Sequence, residues 1–357
     1  MDHEPLVSVV MPVRNEAAHL ARALAAIDAQ TYPADRIELL VVDGGSTDGT
    51  VAIVRRRVEA DPRTRLLGGP GVNTPLAMQI GIDAARGSIV AKVDGHGWVN
   101  EQFLAVAVAG LVGDQQVGCI GGIVAPVAST EVERAIAIGR FSRLGVGVGV
   151  YTLTQRAQDV ETVQCGVYRR SALLESGGFD PALAFGEDEE ANFRLRQRGW
   201  RIRLDPAMRF SYRVRPSMGA LFRQYFRYGR ARVAVVRRHP SFFRPKHATP
   251  AALILTLVGS ALISIVFGRS LPVVAAWLGY GLLLIVGGAW LAARAKFGRP
   301  DLVAAALLAL HFGYGLGTLR GLVDSAQRGA EGSERLGSSA VQHDGVAEQP
   351  KPEQDDH

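Results

Sequence analysis

Residues 37–50 read IELLVVDGGSTDGT, an apolar run that ends in Asp43 and a turn rich in Gly, Ser and Thr. A β-branched, aliphatic run of this length that is closed by turn residues predicts a strand covered on both faces. Residues 6–13 (LVSVVMPV) and 88–94 (SIVAKVD) have the same character. Between the first two runs, one face of an expected helix carries Ala18, Leu20, Ala21, Leu24 and Ile27.

Apolar strands that alternate with amphipathic helices predict an α/β fold whose parallel sheet has helices on both faces. In such sheets, ligands bind beyond the carboxyl ends of the strands, near a point where the strand order reverses. Asp43 and Asp94 both follow buried strands. The pattern therefore predicts a ligand site that both carboxylates border.

The first acidic site lies in VVDGGSTDGT, residues 41–50. A carboxylate at a strand end, followed by a glycine-rich turn, can accept hydrogen bonds from a base or a ribose, which favours Asp43 as a binding residue. Asp48 or Thr47 is better explained as the cap of the next helix, because short polar side chains satisfy the free N–H groups of a first turn.

The second site is Lys92-Val93-Asp94-Gly95-His96. Asp94 and His96 are two residues apart in an extended turn, so both can face one divalent cation. Hard cations that are bound by one or two protein ligands also take phosphate oxygens, and so neutralise a nucleotide diphosphate leaving group.

The third site is Gly186 followed by four consecutive acidic residues. Glu189 and Glu190 are expected to be solvated at a helix start, where carboxylates complement the helix dipole. Asp188 or Glu187 is instead a candidate general base, because neighbouring like charges raise a carboxylate pKa towards a useful range.

Residues 194–246 contain sixteen Arg or Lys and one acidic residue, Asp205, with interleaved aromatic residues. Nucleic-acid binding is one explanation of such a segment. The apolar, uncharged stretches 250–267, 271–293 and 302–319 follow, each close to the length that crosses a bilayer. They favour an amphipathic segment at an anionic membrane surface over nucleic-acid binding.

We expect two or three of these stretches to span the membrane. From the basic loop 294–299 (RAKFGR) and the absence of a signal-peptide pattern, we expect a multi-pass protein of the cell membrane with its catalytic part in the cytoplasm. Cys119 and Cys165 form no disulfide framework or metal-binding spacing.

We expect four segments: a catalytic domain (1–212), a basic, aromatic interfacial segment (213–249), a transmembrane region (250–323) and a disordered polar tail (324–357).

Several motifs in series resemble glycosyltransferase family 2. The donor-site motifs are VVMPVRNE (9–16) and VDGGSTDGT (42–50), and AARG (84–87) leads into VDGH (93–96). The acceptor-side signature resembles GVYRR (166–170), GGFD (177–180) and GED (186–188). The segment RQYFRYG (223–229) is similar to one in the succinoglycan-type exopolysaccharide branch, which also has C-terminal membrane spans.

The resemblance, which covers roughly residues 6–320, implies a GT-A fold, a nucleotide-sugar donor (a UDP-sugar is expected) and inversion at the anomeric carbon. It implies that Asp43 contacts the base, while Pro12 and Glu16 line the nucleoside pocket. Asp94 would face the donor ribose and the metal, His96 would bind the metal, and Asp188 would be the base. Lys92 and arginines of the basic segment are candidates for contacts to diphosphate groups of the donor or of a lipid carrier.

Two departures qualify the resemblance. His96 stands where the family has a second metal carboxylate, which weakens the case for Mg²⁺ in particular and leaves Mn²⁺ open, so the expected cofactor is Mn²⁺ or Mg²⁺. Residues 197–200 (QRGW) lack the Gln-x-x-Arg-Trp motif of processive synthases, which favours addition of a single sugar. The expected acceptor is a lipid-linked saccharide, and the alternative within transferases is polyprenyl phosphate.

Rivals from other classes are weaker. Loss of Asp94 or Asp188 would favour a sugar-binding protein on a degenerate fold, and both are present. A transporter does not fit a large polar domain, and a nucleotidyltransferase requires a glycine-rich phosphate loop where this chain has MPVRNE.

Overall fold

The computed structural model describes residues 4–145, 155–183 and 186–343, with side chains described as far as Gln327. The strands are β1 (Val7–Val13), β2 (Ile37–Asp43), β3 (Thr64–Gly68), β4 (Ile89–Lys92), β5 (Gly97–Val99), β6 (Val117–Val127), β7 (Gln158–Asp159), β8 (Val167–Arg169) and β9 (Arg201–Arg213). The helices are α1 (Leu20–Asp28), α2 (Thr50–Ala60), α3 (Thr74–Ala84), α4 (Phe103–Gly113), α5 (Glu131–Arg140), α6 (Arg170–Glu175), α7 (Glu187–Gln197), α8 (Met218–Arg238), α9 (Pro245–Phe267), α10 (Leu271–Arg294) and α11 (Pro300–His343).

The strands form one sheet in the order β3-β2-β1-β4-β8-β6-β9-β5, and β7 pairs with β9. The first four strands are parallel, as expected for strands joined by helical crossovers. Beyond β4 the sheet is mixed, because β8 runs antiparallel to β4 and β6, and β5 runs antiparallel to β9. The expected parallel sheet is therefore the amino-terminal half of a larger mixed sheet.

Strand β1 shows how the sheet separates two cores. Val9, Met11 and Val13 belong to one hydrophobic cluster, and Val10 belongs to the other. Alternate side chains of a strand point to opposite faces, so a strand with buried apolar side chains in both clusters is covered on both sides.

Helix α1 differs from the expected pattern in its register. It begins at Leu20 and buries Leu20, Ala23, Leu24 and Ile27, whereas Ala18 and Ala21 are exposed. Because successive residues turn by about 100°, Ala23 shares the inner face with Leu20 and Ala21 does not.

In the described part of the chain, three helices are long and apolar enough to cross a membrane: Pro245–Phe267, Leu271–Arg294 and Pro300–Gln327. They include the apolar stretches 250–267, 271–293 and 302–319 of the sequence. In α9 and α10, large apolar side chains such as Ile265, Leu271 and Leu278 are mostly exposed. These two helices form a hairpin with an apolar outer surface, which is the expected character of a membrane-inserted pair.

Helix α11 has different surroundings. Val303, Ala306, Leu307 and Leu310 are fully buried and belong to the same cluster as Val9 of β1. A second stretch of α11 lies along α8, and its glycines let the two backbones approach closely. A Cβ atom added at Gly313 would lie 2.7 Å from the carbonyl oxygen of Phe222, and one at Gly321 would lie 2.9 Å from that of Arg230.

Helix α11 also continues to His343, although disorder was expected from Asp324 onward. Asp324 is buried and pairs with Arg230 at 2.5 Å and with Arg320 at 2.9 Å. Ion pairs to α8 and within α11 thus hold the helix in place at Asp324, where the sequence pattern predicts the start of a disordered tail. Residues 344–357 lie outside the described residues.

Candidate active site

A cavity of about 280 Å³ lies beyond the carboxyl end of β4. Its walls are the turn after β4, the first turn of α7, the end of β9 and one face of α8. Among the expected site residues, five line it: Lys92, Asp94, His96, Glu187 and Asp188. The fold thus brings together two motifs that are more than ninety residues apart in the sequence.

The turn after β4 supplies one wall. Strand β4 ends at Lys92, whose side chain is 2% exposed, and Asp94 and His96 follow at 23% and 42%. Cys165 is buried behind them, with Sγ 3.9 Å from Asp94 Oδ2. The Nδ1 atom of His96 is 3.5 Å from Glu16 Oε1. A carboxylate oxygen and an imidazole nitrogen therefore reach the cavity from a single turn.

The amino-terminal end of α7 supplies a second wall. Gly186 precedes the helix with φ of 78°, a conformation that glycine adopts without strain. The chain then enters α7 with Glu187 and Asp188 in its first turn. The Nζ atom of Lys92 donates to Glu187 Oε1 at 2.9 Å and to Asp188 Oδ1 at 2.7 Å, and it lies 3.9 Å from Asp94 Oδ1.

This cluster determines the protonation of the site. Burial, opposed by Lys92 and assisted by Glu187 and Asp94, raises the pKa of Asp188 to about 7. Burial thus contributes more than the like charges that the sequence suggested. Although burial alone would lower it, the nearby carboxylates hold the pKa of Lys92 well above its ordinary value. Lys92 therefore stays cationic. The pKa of Asp188 lies near neutral pH, which suits a general base.

The donor set of Asp94 and His96 fits a divalent cation only in part. Both residues carry atoms that bind such ions, and both reach the cavity. Among the described residues, no group of three or more His, Cys, Asp or Glu side chains could hold an ion. The residues thus fit an ion whose remaining ligands come from a bound substrate.

The residues expected at the nucleoside do not line this cavity within the described chain. Asp43, at the end of β2, accepts hydrogen bonds from the N–H groups of Gly45 at 2.9 Å and Ser46 at 3.0 Å. Its carboxylate thus shapes its own turn. Pro12 lies beside Val42 in the β1–β2 pairing. Glu16 lies next to His96, which lines the cavity. Burial raises the pKa of the Glu16 carboxyl group.

The starts of α2 and α7 agree only in part with the caps and exposure that the sequence predicts. Asp48 Oδ1 accepts from the N–H group of Thr50 at 2.9 Å, so it stabilises the start of α2, although Gly49 occupies the N-cap position. Glu190 was expected to be solvated and is 1% exposed, because it pairs with Arg194 at 2.6 Å and with His239 at 2.9 Å. Glu189 pairs with Arg232 of α8 at 2.5 Å.

The third wall contains residues that were not named individually as site residues, although Arg232 belongs to the basic segment whose arginines are candidates for diphosphate contacts. Gln224, Tyr228 and Arg232 of α8 line the cavity, together with Arg140 of α5 and Tyr212 of β9. The spacing of four along α8 could have shown that the first three share one helix face. Nothing local in the sequence marks Arg140 or Tyr212 as their neighbours.

The family model "Glycosyl transferase family 2" matches residues 8–174. Succinoglycan biosynthesis protein ExoA of Rhizobium meliloti is 28% identical over 90% of this chain and 96% of that protein. Glycosyltransferase AglE of Haloferax volcanii is 30% identical over 65% of this chain and 74% of that protein.

A solved structure supports the fold. The mannosyltransferase PcManGT of Pyrobaculum calidifontis, in complex with GDP-Man and Mn²⁺, superposes with a TM-score of 0.57 at 20% identity. The match covers 90% of this chain and 88% of that one, and it confirms the expected GT-A fold. With three apolar helices after a GT-A domain, and with these relatives, the chain belongs to glycosyltransferase family 2 and is a glycosyltransferase.

Proposed function

We propose that the protein is an inverting glycosyltransferase that moves a sugar from a nucleotide-diphosphate sugar to a lipid-linked saccharide. The observation that carries the proposal is the convergence of Asp188 with Asp94 and His96 in one cavity. A candidate base and a candidate leaving-group site thus border the same space. That cavity also borders α8, which packs on α11 beside the apolar hairpin of α9 and α10.

The chemistry requires one base. In the proposed reaction, Asp188 accepts the proton of the acceptor hydroxyl as that oxygen forms a bond to the anomeric carbon. The bond between this carbon and the diphosphate oxygen breaks on the opposite face, so the configuration inverts. A cation bound at Asp94 and His96 would neutralise the departing diphosphate.

Lys92 has a more specific place in this scheme than a general contact to diphosphate. Its ammonium group is held by Glu187 and Asp188, and its side chain is 2% exposed. In that position it stabilises the ionised form of the base. The nucleoside roles of Asp43, Pro12 and Glu16 remain part of the proposal, since their loops lie at the carboxyl ends of β1 and β2.

Membrane attachment supports a lipid-linked acceptor. A catalytic domain held on the cytoplasmic face meets its acceptor at the concentration of the membrane surface. The relative from Rhizobium meliloti acts in succinoglycan biosynthesis, which supports a polysaccharide product. The proposed donor is a UDP-sugar, with Mn²⁺ or Mg²⁺ as the cation.

The test uses the full chain purified in detergent. Nucleotide sugars are screened for donor hydrolysis, with and without Mn²⁺ or Mg²⁺, and then after metal removal by EDTA. Turnover should require the metal, and a nucleoside diphosphate should tighten metal binding, because Asp94 and His96 alone are too few ligands. Full activity after metal stripping would contradict the metal site.

The acceptor is tested in the same preparation. A saccharide linked to a lipid diphosphate is compared with polyprenyl phosphate, and the configuration of the product is read by NMR. We expect transfer to the lipid-linked saccharide with inversion. Transfer to polyprenyl phosphate alone would favour the alternative acceptor, and retention would contradict the mechanism.

A further inference from the structure

The part of the cavity that is lined by α5, α8 and the end of β9 contains buried polar atoms that have no partners among the described residues. Arg140 is 5% exposed and Tyr212 is 8% exposed, and both line the cavity. Within the described chain, Arg140 Nε, the Tyr212 hydroxyl and Gln224 Oε1 have no hydrogen-bond partner. Buried polar groups are almost always paired, so three such atoms on one wall indicate that a ligand completes them.

The arginines that line this cavity differ in whether they pair with a carboxylate. Arg213 pairs with Glu133 at 3.1 Å, and Arg232 pairs with Glu189 at 2.5 Å. Arg140 has no such pair among the described residues; its guanidinium lies 5.0 Å from the centre of the Tyr212 ring. Among the described residues, Arg140 is thus a buried cation that has tyrosine neighbours, Tyr212 and Tyr225, and no carboxylate partner.

The identity of the unpaired atoms defines the ligand. An arginine N–H requires an acceptor, and a guanidinium favours the oxygens of a phosphate. A glutamine carbonyl oxygen requires a donor, which a sugar hydroxyl provides. A ligand that offers both at neighbouring positions is a sugar attached to a phosphate.

We propose that Arg140, Tyr212 and Gln224, with Arg215 at the edge of the cavity, form the acceptor subsite and bind the phosphate-linked sugar of the acceptor. This inference rests on the proposed function, because it assigns the part of the cavity that contains Asp94 and His96 to the donor. The acceptor hydroxyl would then be presented to Asp188 by the wall that α8 completes.

Isothermal titration of the full chain in detergent tests the subsite with glucose 1-phosphate, glucose and inorganic phosphate as probes. UDP and Mn²⁺ are kept saturating, so that the donor position is filled. We expect glucose 1-phosphate to bind under these conditions and to bind more tightly than either fragment. Arg140→Met should weaken it by at least about tenfold, the scale of one charge-assisted hydrogen bond, and leave UDP affinity within about threefold.

The variants separate the two halves of the ligand. Gln224→Leu should weaken glucose 1-phosphate but not inorganic phosphate, whereas Arg215→Met should weaken both. Arg143→Met is the matched control, because Arg143 is exposed, close in sequence to Arg140 and outside the cavity wall. If Arg140→Met does not fold, as judged by circular dichroism, Gln224→Leu and Arg215→Met carry the test.

Three results would overturn the inference. Competition between UDP and glucose 1-phosphate would assign this wall to the donor diphosphate. Equal affinity for inorganic phosphate and glucose 1-phosphate would indicate an unspecific anion site, and unchanged binding in the folded variants would place the acceptor elsewhere. A protein that binds glucose 1-phosphate in this way but turns over no nucleotide sugar would contradict the proposed function and not the subsite.

Discussion

The Nζ atom of Lys92 lies 2.7 Å from Oδ1 of Asp188, although 96 residues separate them in the chain. Lys92 ends the strand β4 and Asp188 begins the helix α7, so the pair joins the two motifs of the site. A buried cation beside a carboxylate favours the ionised form of that carboxylate. The relationship therefore links Lys92 to the pH at which the base can act.

The first prediction concerns this pH dependence. The pKa of Asp188 is about 7, and only its ionised form accepts a proton, so kcat should fall as the pH drops below about 7. Lys92→Met removes the cation that opposes protonation, so the fall should move to higher pH. Measuring kcat against pH for both proteins checks this, with Lys92→Arg as the control that keeps the charge. An unmoved profile in a folded Lys92→Met variant would show that Lys92 does not act on the base.

The second prediction separates the base from the donor site. Asp188→Asn should reduce kcat by roughly a hundredfold or more, the usual scale for a positioned base, with donor affinity within a few fold. Asp43→Ala should raise KM, because it removes a proposed nucleoside contact and also frees the turn at Gly45 and Ser46. Single-turnover kinetics and titration of the donor nucleotide measure the two effects.

The contrast also has a clear failure. An Asp188→Asn variant that folds, binds donor and transfers at the native rate would place the base elsewhere, and Glu187 is then the next candidate. If Asp188 merely favoured the start of α7, a small loss of stability with near-normal turnover would be seen.

The third prediction concerns the contact between α8 and α11. Gly313→Val adds a side chain where a Cβ atom would already lie 2.7 Å from the Phe222 carbonyl oxygen. Overpacking of this kind costs about 1–3 kcal/mol, so the unfolding temperature in detergent should fall. Gly279→Val in α10 is the matched control, since a Cβ atom there meets nothing within 4 Å. Equal unfolding temperatures for the two variants would contradict the packing of α8 on α11.

The fourth prediction concerns membrane topology. Helix α11 is enclosed by α5 and by α8, and Arg230 and Arg232 of α8 bond to Asp324 and Tyr314 of α11. A helix that is bonded to these arginines cannot cross a bilayer unless the arginines enter the hydrocarbon region, which costs free energy. We expect α9 and α10 to insert as a hairpin, while the catalytic domain and the far end of α11 stay on the cytoplasmic side.

Cysteines introduced singly at positions 270, 296 and 327 test this topology in intact cells. An impermeant thiol reagent should label position 270, in the hairpin turn, and leave 296 and 327 unlabelled. The native Cys119 and Cys165 are buried and give little background. Labelling at 296 would show that the topology is inverted, and labelling at both 270 and 327 but not at 296 would show that α11 crosses the membrane.

Much of the site was predictable because its residues sit at local signals. Asp94, His96, Glu187 and Asp188 lie where a buried strand or a helix start meets a turn, and such positions can be recognised from hydrophobic pattern alone. The surroundings of these residues were less predictable. Glu190 belongs to a four-residue acidic run, yet its burial depends on Arg194 and on the distant His239.

Sequence pattern was enough to predict the strands β1, β2 and β4, the motifs at their ends and the three apolar stretches, because each depends on residues close together in the chain. Contacts between distant segments bring Lys92 to Asp188 and bring Arg140 and Tyr212 to the same cavity as Gln224. Such contacts also bury α11 beside α5 and α8. Apolar composition is the same for a core helix and for a membrane span. Only the neighbours that cover a helix distinguish the two, and these neighbours come from distant parts of the chain.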